Sequence, residues 1–230
     1  MKTTRNILLL IISCLSLQAC VTTAERPVSY NDPWEPMNRA VFSFNDTIDQ
    51  YALKPVAKGY KTVTPKPIRG MVSNFFSNLG EVRNTFSALI QLKGGDVLTS
   101  FSRLAINSTI GMLGLVDVAS PLGIERKYSD FGMAFANWGI ASGPYVVLPL
   151  LGPQTLRSGV GILPERVINP VNAADEPERW YALGVSTVNA RAHLLDAEDL
   201  VTGDRYSFIR DAYLQRREFL ITGKPPVDDF

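Results

Sequence analysis

The chain has 230 residues, 23 basic and 22 acidic side chains, a formal charge of +1, one histidine and two cysteines. So even a balance leaves no electrostatic footprint for nucleic acid, and a single histidine argues against a zinc site. No G-x-S-x-G elbow or P-loop occurs, so the residues point to no reaction and call for no cofactor.

The first element is a leader. Lys2 and Arg5 precede the apolar run Ile7–Leu17 of 11 residues, too short to cross a hydrocarbon core of about 30 Å as a helix. The run ends Leu17-Gln18-Ala19-Cys20, and a small residue before cysteine fits a bacterial lipoprotein signal. Cys20 is then the first residue of the mature chain and carries acyl groups on its sulfur and amine. Two or more chains hold a protein on a bilayer where one is marginal. Val21, not Asp, follows, so the usual inner-membrane retention signal is absent; the expectation is the outer membrane, facing the periplasm. Cleavage discards residues 1–19 with Cys14, leaving 21 basic and 22 acidic side chains and a charge of −1. Residues 20–31 read as a tether.

The first folded element starts at Asp32-Pro33-Trp34-Glu35, where Asp32 suits the N-cap and Glu35 completes a capping box. Met37, Val41, Phe44, Ile48 and Tyr51 recur at helical spacing, and Pro55 punctuates. Pro65 and Pro67 open a second helix carrying Met71, Phe75, Leu79, Val82, Phe86 and Ile90, with Gly80 placed to bend it. Its other face is polar but uncharged: Ser73, Asn74, Ser77, Asn78, Asn84 and Ser87. After Gly94-Gly95, Asp96 is placed to cap a helix through Ile110 that ends near Gly111 or Gly114. Ser129 or Asp130 caps a short helix toward Trp138. Tyr145 to Leu148 is the only tempting β-run, and Pro149 cuts it short. A last amphipathic helix runs from about Asp204 to Ile221, ending before Gly223. His193, on a charged helix, reads as solvated or capping. The fold class is all-α, with a helical domain over 32–221 and a tail over 222–230.

Charge is unevenly spread. Phe131 to Leu156 is a run of 26 residues without a formal charge, and Leu104 to Val116 is another uncharged stretch. Asp175 to Phe230 carries 18 charges in 56 residues. The long uncharged run holds Gly132, Gly139, Gly143, Pro144, Pro149, Gly152 and Pro153, too many breakers for one spanning helix. Broken backbone survives in lipid only when buried in protein or lining a wet cavity.

Taken together, Asp32-Pro33-Trp34-Glu35-Pro36-Met37-Asn38-Arg39, Phe76-Ser77-Asn78-Leu79, Arg103, Asn107, Gly111, Gly114, Asp117 and the run from Asp130-Phe131-Gly132 through Gly143-Pro144-Tyr145 to Arg157 resemble the MlaA/VacJ family of outer-membrane lipoproteins. The resemblance covers about residues 31–221. It departs at Met37, Met133, Ala136 and Ser158, where the family commonly has Phe, a polar residue, Gly and Asp.

The resemblance implies a ring-like bundle of amphipathic helices embedded in one membrane leaflet. The ring surrounds a channel for phospholipids that have strayed into the outer leaflet of the outer membrane. It also implies that the protein binds trimeric porins and hands lipid to a soluble periplasmic carrier. On that footing, Asn74, Ser77, Asn78 and Asn84 are the expected lining of the lipid path. Neutral hydrogen-bonding groups lower the cost of moving a polar head through hydrocarbon, whereas clustered arginines would hold phosphate tightly. Arg157 is the expected headgroup contact. Gly139, Gly143, Pro144 and Gly152 are expected to shape or hinge the ring. The rival reading is a structural lipoprotein that scaffolds or assists porins.

Overall fold

A computed structural model describes residues 32–225. The leader, Cys20 and the tether lie outside the described residues, as do residues 226–230 of the tail.

The chain begins with α1 (Glu35–Ile48) and α2 (Lys54–Val63). Pro55 does not end the helix as the sequence suggests. Proline removes one N–H and crowds the carbonyl four residues back. The chain relieves both by widening into a π-helical turn over Asp49–Leu53, where the Lys54 N–H reaches back five residues to the Asp49 carbonyl. The two helices are therefore continuous.

Asp32 is not an N-cap either. Trp34 takes that place, without a side-chain cap. The Asp32 carboxylate instead accepts from Asn38 Nδ2 at 2.8 Å and from the Tyr206 hydroxyl. A local signal lost to a long-range partner.

Next come α3 (Lys66–Ile90) and α4 (Gly94–Thr109), packed as an antiparallel hairpin. Lys93 is the N-cap of α4, so Asp96 lies in its first turn rather than capping it. Gly80 does not break α3. It leaves room for Arg126, whose Nη2 would stand 3.5 Å from a Cβ there and donates to the Ser77 carbonyl.

Asp130 caps α5 (Phe131–Asn137), accepting from the Met133 N–H at 2.8 Å. Helix α5 lies against α6 (Leu156–Ile168), and the two cross where a Cβ on Gly161 would meet the Gly132 nitrogen at 2.7 Å. Chain and side-chain contacts thus demand glycine there. Between α5 and α6 stands a hairpin of β1 (Tyr145–Leu148) and β2 (Gly152–Thr155), paired antiparallel with Tyr145 opposite Thr155 and Leu148 opposite Gly152.

The one tempting β-run of the sequence, Tyr145 to Leu148, is β1; its partner β2 is the element the helical reading did not include. The hairpin's outer edge is satisfied not by a third strand but by α1. Asn38 donates to the Tyr145 carbonyl at 3.0 Å and accepts from the Val147 N–H at 2.8 Å. Asn45, two turns on, does the same for Leu148 and Leu150 at 3.0 and 2.8 Å. Two asparagine amides take the place of a strand, which is why a four-residue β-run persists.

Helix α7 (Glu178–Leu194) packs on α2, and α8 (Arg205–Thr222) is capped by Asp204 and ends at Gly223 with φ 71°. A small core of Tyr145, Val147 and Tyr206, with Val41, Phe42, Tyr213 and Leu214 against it, joins the hairpin to α1 and α8. Among the described residues the architecture is helical, with one small two-stranded sheet.

Candidate functional site

The distribution of polarity is inverted relative to a water-soluble globule. The largest side chains that are fully buried are Glu81, Asn38, Asn84, Ser87 and Ser100. Leu92, Leu98, Phe101, Ile110, Met112 and Leu113, by contrast, are exposed, as are Trp138, Ile140, Leu150, Leu151, Leu163 and Val167. Many fall on the two uncharged stretches of the sequence or beside them. Soluble monomers rarely expose so much large apolar surface, and where it occurs it marks contact with membrane or protein. Among the described residues no helix is long and apolar enough to cross a membrane.

Inside this apolar exterior is a polar network. Glu81 accepts from Arg103 at 3.1 Å and from Asn84 at 2.8 Å, and it pairs with Arg126 at 3.1 Å. Arg103 also binds Asp117, at 3.0 Å, and the Ser120 hydroxyl, also at 3.0 Å. Asn107 holds the same loop through the N–H groups of Val118 and Ala119 at 2.9 and 3.0 Å. Segment 110–124 is thereby tied to the α3–α4 hairpin by hydrogen bonds rather than by apolar packing.

A cavity of about 670 Å³ opens among α3, α6, α7 and α8. Ser73, Ser77, Gly80 and Arg83 form its α3 wall, with Arg126 and Tyr128 from the following loop. Glu165, Arg166 and Asn169 come from the end of α6, Ser186, Asn189 and His193 from α7, and Arg216 from α8. A smaller cavity of about 280 Å³ adjoins it, sharing Arg83, Tyr128, Ile162, Glu165 and Arg216 as a common wall. At that wall the Arg83 guanidinium lies 4.8 Å from the centre of the Tyr128 ring and 3.9 Å from Glu165. Burial pushes the Glu165 carboxyl up, against the pull of Arg83 and of the Phe131 N–H at 3.1 Å. His193 meets the Ser73 hydroxyl at 2.9 Å. Among the described residues no three His, Cys, Asp or Glu side chains gather to hold a metal ion.

The residues singled out in the sequence divide sharply. Ser77 lines the cavity. Asn74, Asn78 and Asn84 do not. Asn74 donates to the Leu115 carbonyl at 3.2 Å and Asn78 to the Ser108 hydroxyl at 2.8 Å. Asn84 is fully buried between Glu81 and the Ser129 N–H. Asn78 joins the two helices of the α3–α4 hairpin, and Asn74 and Asn84 bind the hairpin to its neighbouring loops, because the face they share turns inward against segment 108–129.

Arg157 lies on neither cavity wall: its Nη1 donates to the Ile140 carbonyl at 2.6 Å, holding the turn before β1. Gly139, Gly143 and Gly152 occupy turns with φ of 81°, 68° and 78°, and the Pro144 carbonyl accepts from Leu156 N–H at 3.0 Å. Gly143, Pro144 and Gly152 sit at the base or tip of the hairpin, whereas Gly139 closes α5, its N–H donating to the Ala136 carbonyl at 2.9 Å.

The expectation of a neutral wall is also corrected. Arg83, Arg126, Arg166 and Arg216 line the larger cavity. Only Arg83 carried a local signal, since Ser73, Phe76, Ser77, Gly80 and Arg83 follow helical spacing on one stripe.

The geometry has clear relatives. The family model described as MlaA lipoprotein matches residues 30–220. The intermembrane phospholipid transport system lipoprotein MlaA of Escherichia coli is 31% identical over 216 residues, covering 90% of this chain and 85% of that one. Its Haemophilus influenzae counterpart is 32% identical, covering 95% and 91%. An uncharacterized protein of Rickettsia prowazekii is 35% identical over 193 residues, 81% of this chain and 76% of that one. A solved structure described as the structural basis for maintenance of bacterial outer membrane lipid asymmetry superposes with a TM-score of 0.74 at 32% identity, covering 84% of this chain and all of the other. An apolar exterior around a cavity walled by charged, amide and apolar side chains, on a chain matched over nearly all its helical length, has one reading: the protein belongs to the MlaA lipoprotein family.

Proposed function

We propose that this protein is an outer-membrane lipoprotein that takes mislocalised phospholipids from the outer leaflet, passes them through its polar cavity and yields them to a soluble periplasmic carrier. It acts as a conduit rather than an enzyme. Acyl chains on Cys20 hold it to the membrane. The helical domain rests in the inner leaflet, with the charged helices after Asp175 toward the periplasm and a porin trimer as its lateral neighbour.

The single observation that carries this reading is the inversion of polarity: large apolar side chains point outward while charged and amide groups surround a cavity. A phospholipid needs both. Its head requires hydrogen-bonding partners to leave water, and a conduit placed in a leaflet must be apolar outside. The names of the relatives agree with such a role.

The test is the phospholipid content of the cell surface with and without the gene. An acyltransferase or phospholipase confined to the outside reports it, and porin trimers are counted in the same cells. More surface phospholipid with unchanged porin is the expected result. Fewer porin trimers with no such rise would overturn it in favour of a porin scaffold.

A further inference from the structure

Pairing of charges around the cavity is incomplete in one direction. Arg83 faces Glu165 at 3.9 Å, and Arg126 faces Glu81 at 3.1 Å. Arg217, on the smaller cavity, is paired with Asp130. Arg103, behind the wall, is paired with both Glu81 and Asp117. Arg166 and Arg216 also line the larger cavity, and neither has a carboxylate partner within 4.0 Å among the described residues. The lining is otherwise neutral, save for His193 on the Ser73 hydroxyl.

The carboxylate side has no surplus. Among the described residues Glu165 is the only acidic side chain on the larger cavity's wall, and the Phe131 N–H and Arg83 already engage it. On the smaller cavity the other acidic group is Asp130, held by Arg217 and by the Met133 N–H. A phosphate therefore finds two uncommitted guanidiniums, which suit its oxygens in paired donation. An ammonium finds no uncommitted carboxylate and two like charges.

We propose that the cavity prefers glycerophospholipids whose headgroup carries net negative charge over zwitterionic ones, and that Arg166 and Arg216 set the preference. This rests on the conduit reading above and narrows it to a substrate class. Both kinds of lipid carry phosphate; what separates them is the ammonium, which this wall repels. Arg166 and Arg216 come from different helices and are both exposed, so their replacement should leave the fold intact.

The experiment uses the full-length acylated protein extracted in detergent from cells whose bulk lipid composition is measured. Bound phosphatidylglycerol and phosphatidylethanolamine are counted by mass spectrometry. Wild type, the double variant R166Q/R216Q and the off-cavity control K224Q are compared, and each melting temperature is checked. Wild type and K224Q should hold phosphatidylglycerol enriched over the bulk ratio by about twofold to fivefold, the scale of a solvent-exposed ion pair. The double variant should return to the bulk ratio, with less total lipid bound than the wild type but more than an unrelated lipoprotein holds. Bulk-ratio lipid on the wild type, or undiminished enrichment in the double variant, would overturn the preference and leave the conduit standing. No lipid on the wild type above an unrelated lipoprotein would overturn the conduit itself.

Discussion

Arg103 Nε stands 3.1 Å from Glu81 Oε1, with the two side chains 5% and 1% exposed. Arg103 also reaches Asp117, Ser120 and the Ile124 carbonyl, so one side chain fastens segment 117–124 to the α3–α4 hairpin. Removing one partner of a buried pair costs about 3–5 kcal/mol when the other charge is left uncompensated; Glu81 keeps Arg126 at 3.1 Å, so the loss here is at the lower end, about 3 kcal/mol. Arg103→Ala should therefore lower stability by that amount, read by denaturant unfolding in a mild detergent. Arg103→Lys should recover less than half, since an ammonium cannot fork to two carboxylates. A near-native melting curve for Arg103→Ala would show that apolar packing holds the loop.

Asn84 and Ser77 lie on one helix, yet their substitutions should separate stability from transport. Asn84 is fully buried, donating to Glu81 and accepting from the Ser129 N–H. Asn84→Ala orphans both partners, each worth about 1–3 kcal/mol, and should reduce protein level and melting temperature. Ser77 faces the cavity. Ser77→Leu should keep the melting temperature and raise surface-exposed phospholipid in cells. The reverse assignment, with Asn84→Ala stable but transport-defective, would place the lipid path on the inner face of α3.

The contrast shows what the sequence carries. Helix α8 was legible end to end, because Asp204 and Gly223 are local cap signals, and Asp204 keeps its cap on the Ser207 N–H even though Arg39 binds the same carboxylate at 2.7 Å. The hairpin was not, because β1 finds its edge partners on Asn38 and Asn45, some hundred residues earlier. Asp32 misled for the same reason: Tyr206 claims the carboxylate that a capping box would use. The cavity was hardest to see. Its arginines come from α3, α6, α8 and a loop, and convergence of that kind leaves no period in the chain. Uncharged amides on α3 instead drew attention as a lining, when burial in a polar interior explains them.

Gly143 and Gly152 have similar left-handed backbones, φ 68° and 78°, but different surroundings. A Cβ on Gly143 would stand 2.8 Å from Leu156 Cβ, whereas one on Gly152 meets nothing within 4 Å. The left-handed region alone costs a residue with a Cβ roughly 1–2 kcal/mol. Gly152→Ala should lose about that amount, and Gly143→Ala clearly more, since the base of the hairpin must also part from α6. Thermal denaturation of the two variants side by side checks the order. Equal losses would mean that Leu156 moves aside freely.

Glu198 supplies a pH dependence away from the cavity. Burial alone would raise its carboxyl, but hydrogen bonds from Lys54 and Arg191 win and hold it at about 2 against the ordinary 4.5. A carboxylate depressed on folding stabilises the protein at pH values above its unfolded value, and the contribution fades as the pH falls toward the folded one. Wild type should therefore lose stability between about pH 4.5 and about pH 2 through this group. Glu198→Gln should be less stable than wild type at pH 7 and show a smaller difference from it at pH 3. A difference that is constant over the range would mean that packing, not charge, ties α2 to α7.

Leu113 and Leu150 hold φ of 60° and 63° with their side chains exposed. A left-handed backbone at a bulky residue is uncommon and costs roughly 1–2 kcal/mol. In water such a residue would lose on both counts, strained and unburied. In a leaflet the side chain regains about 1.5–3 kcal/mol by leaving water, which offsets the strain. Replacing both leucines by glycine should therefore change thermal stability in detergent little, because the backbone strain relieved is offset by the side-chain burial in the micelle that is lost. The same change should weaken membrane attachment once the acyl anchor is removed. A Cys20→Ala protein exported on a cleavable signal, washed with alkaline carbonate, measures it: the parent should stay with the membrane fraction and the double-glycine variant should be released in larger part. If both are retained alike, these turns do not enter lipid and their strain serves some contact within the protein's own surface.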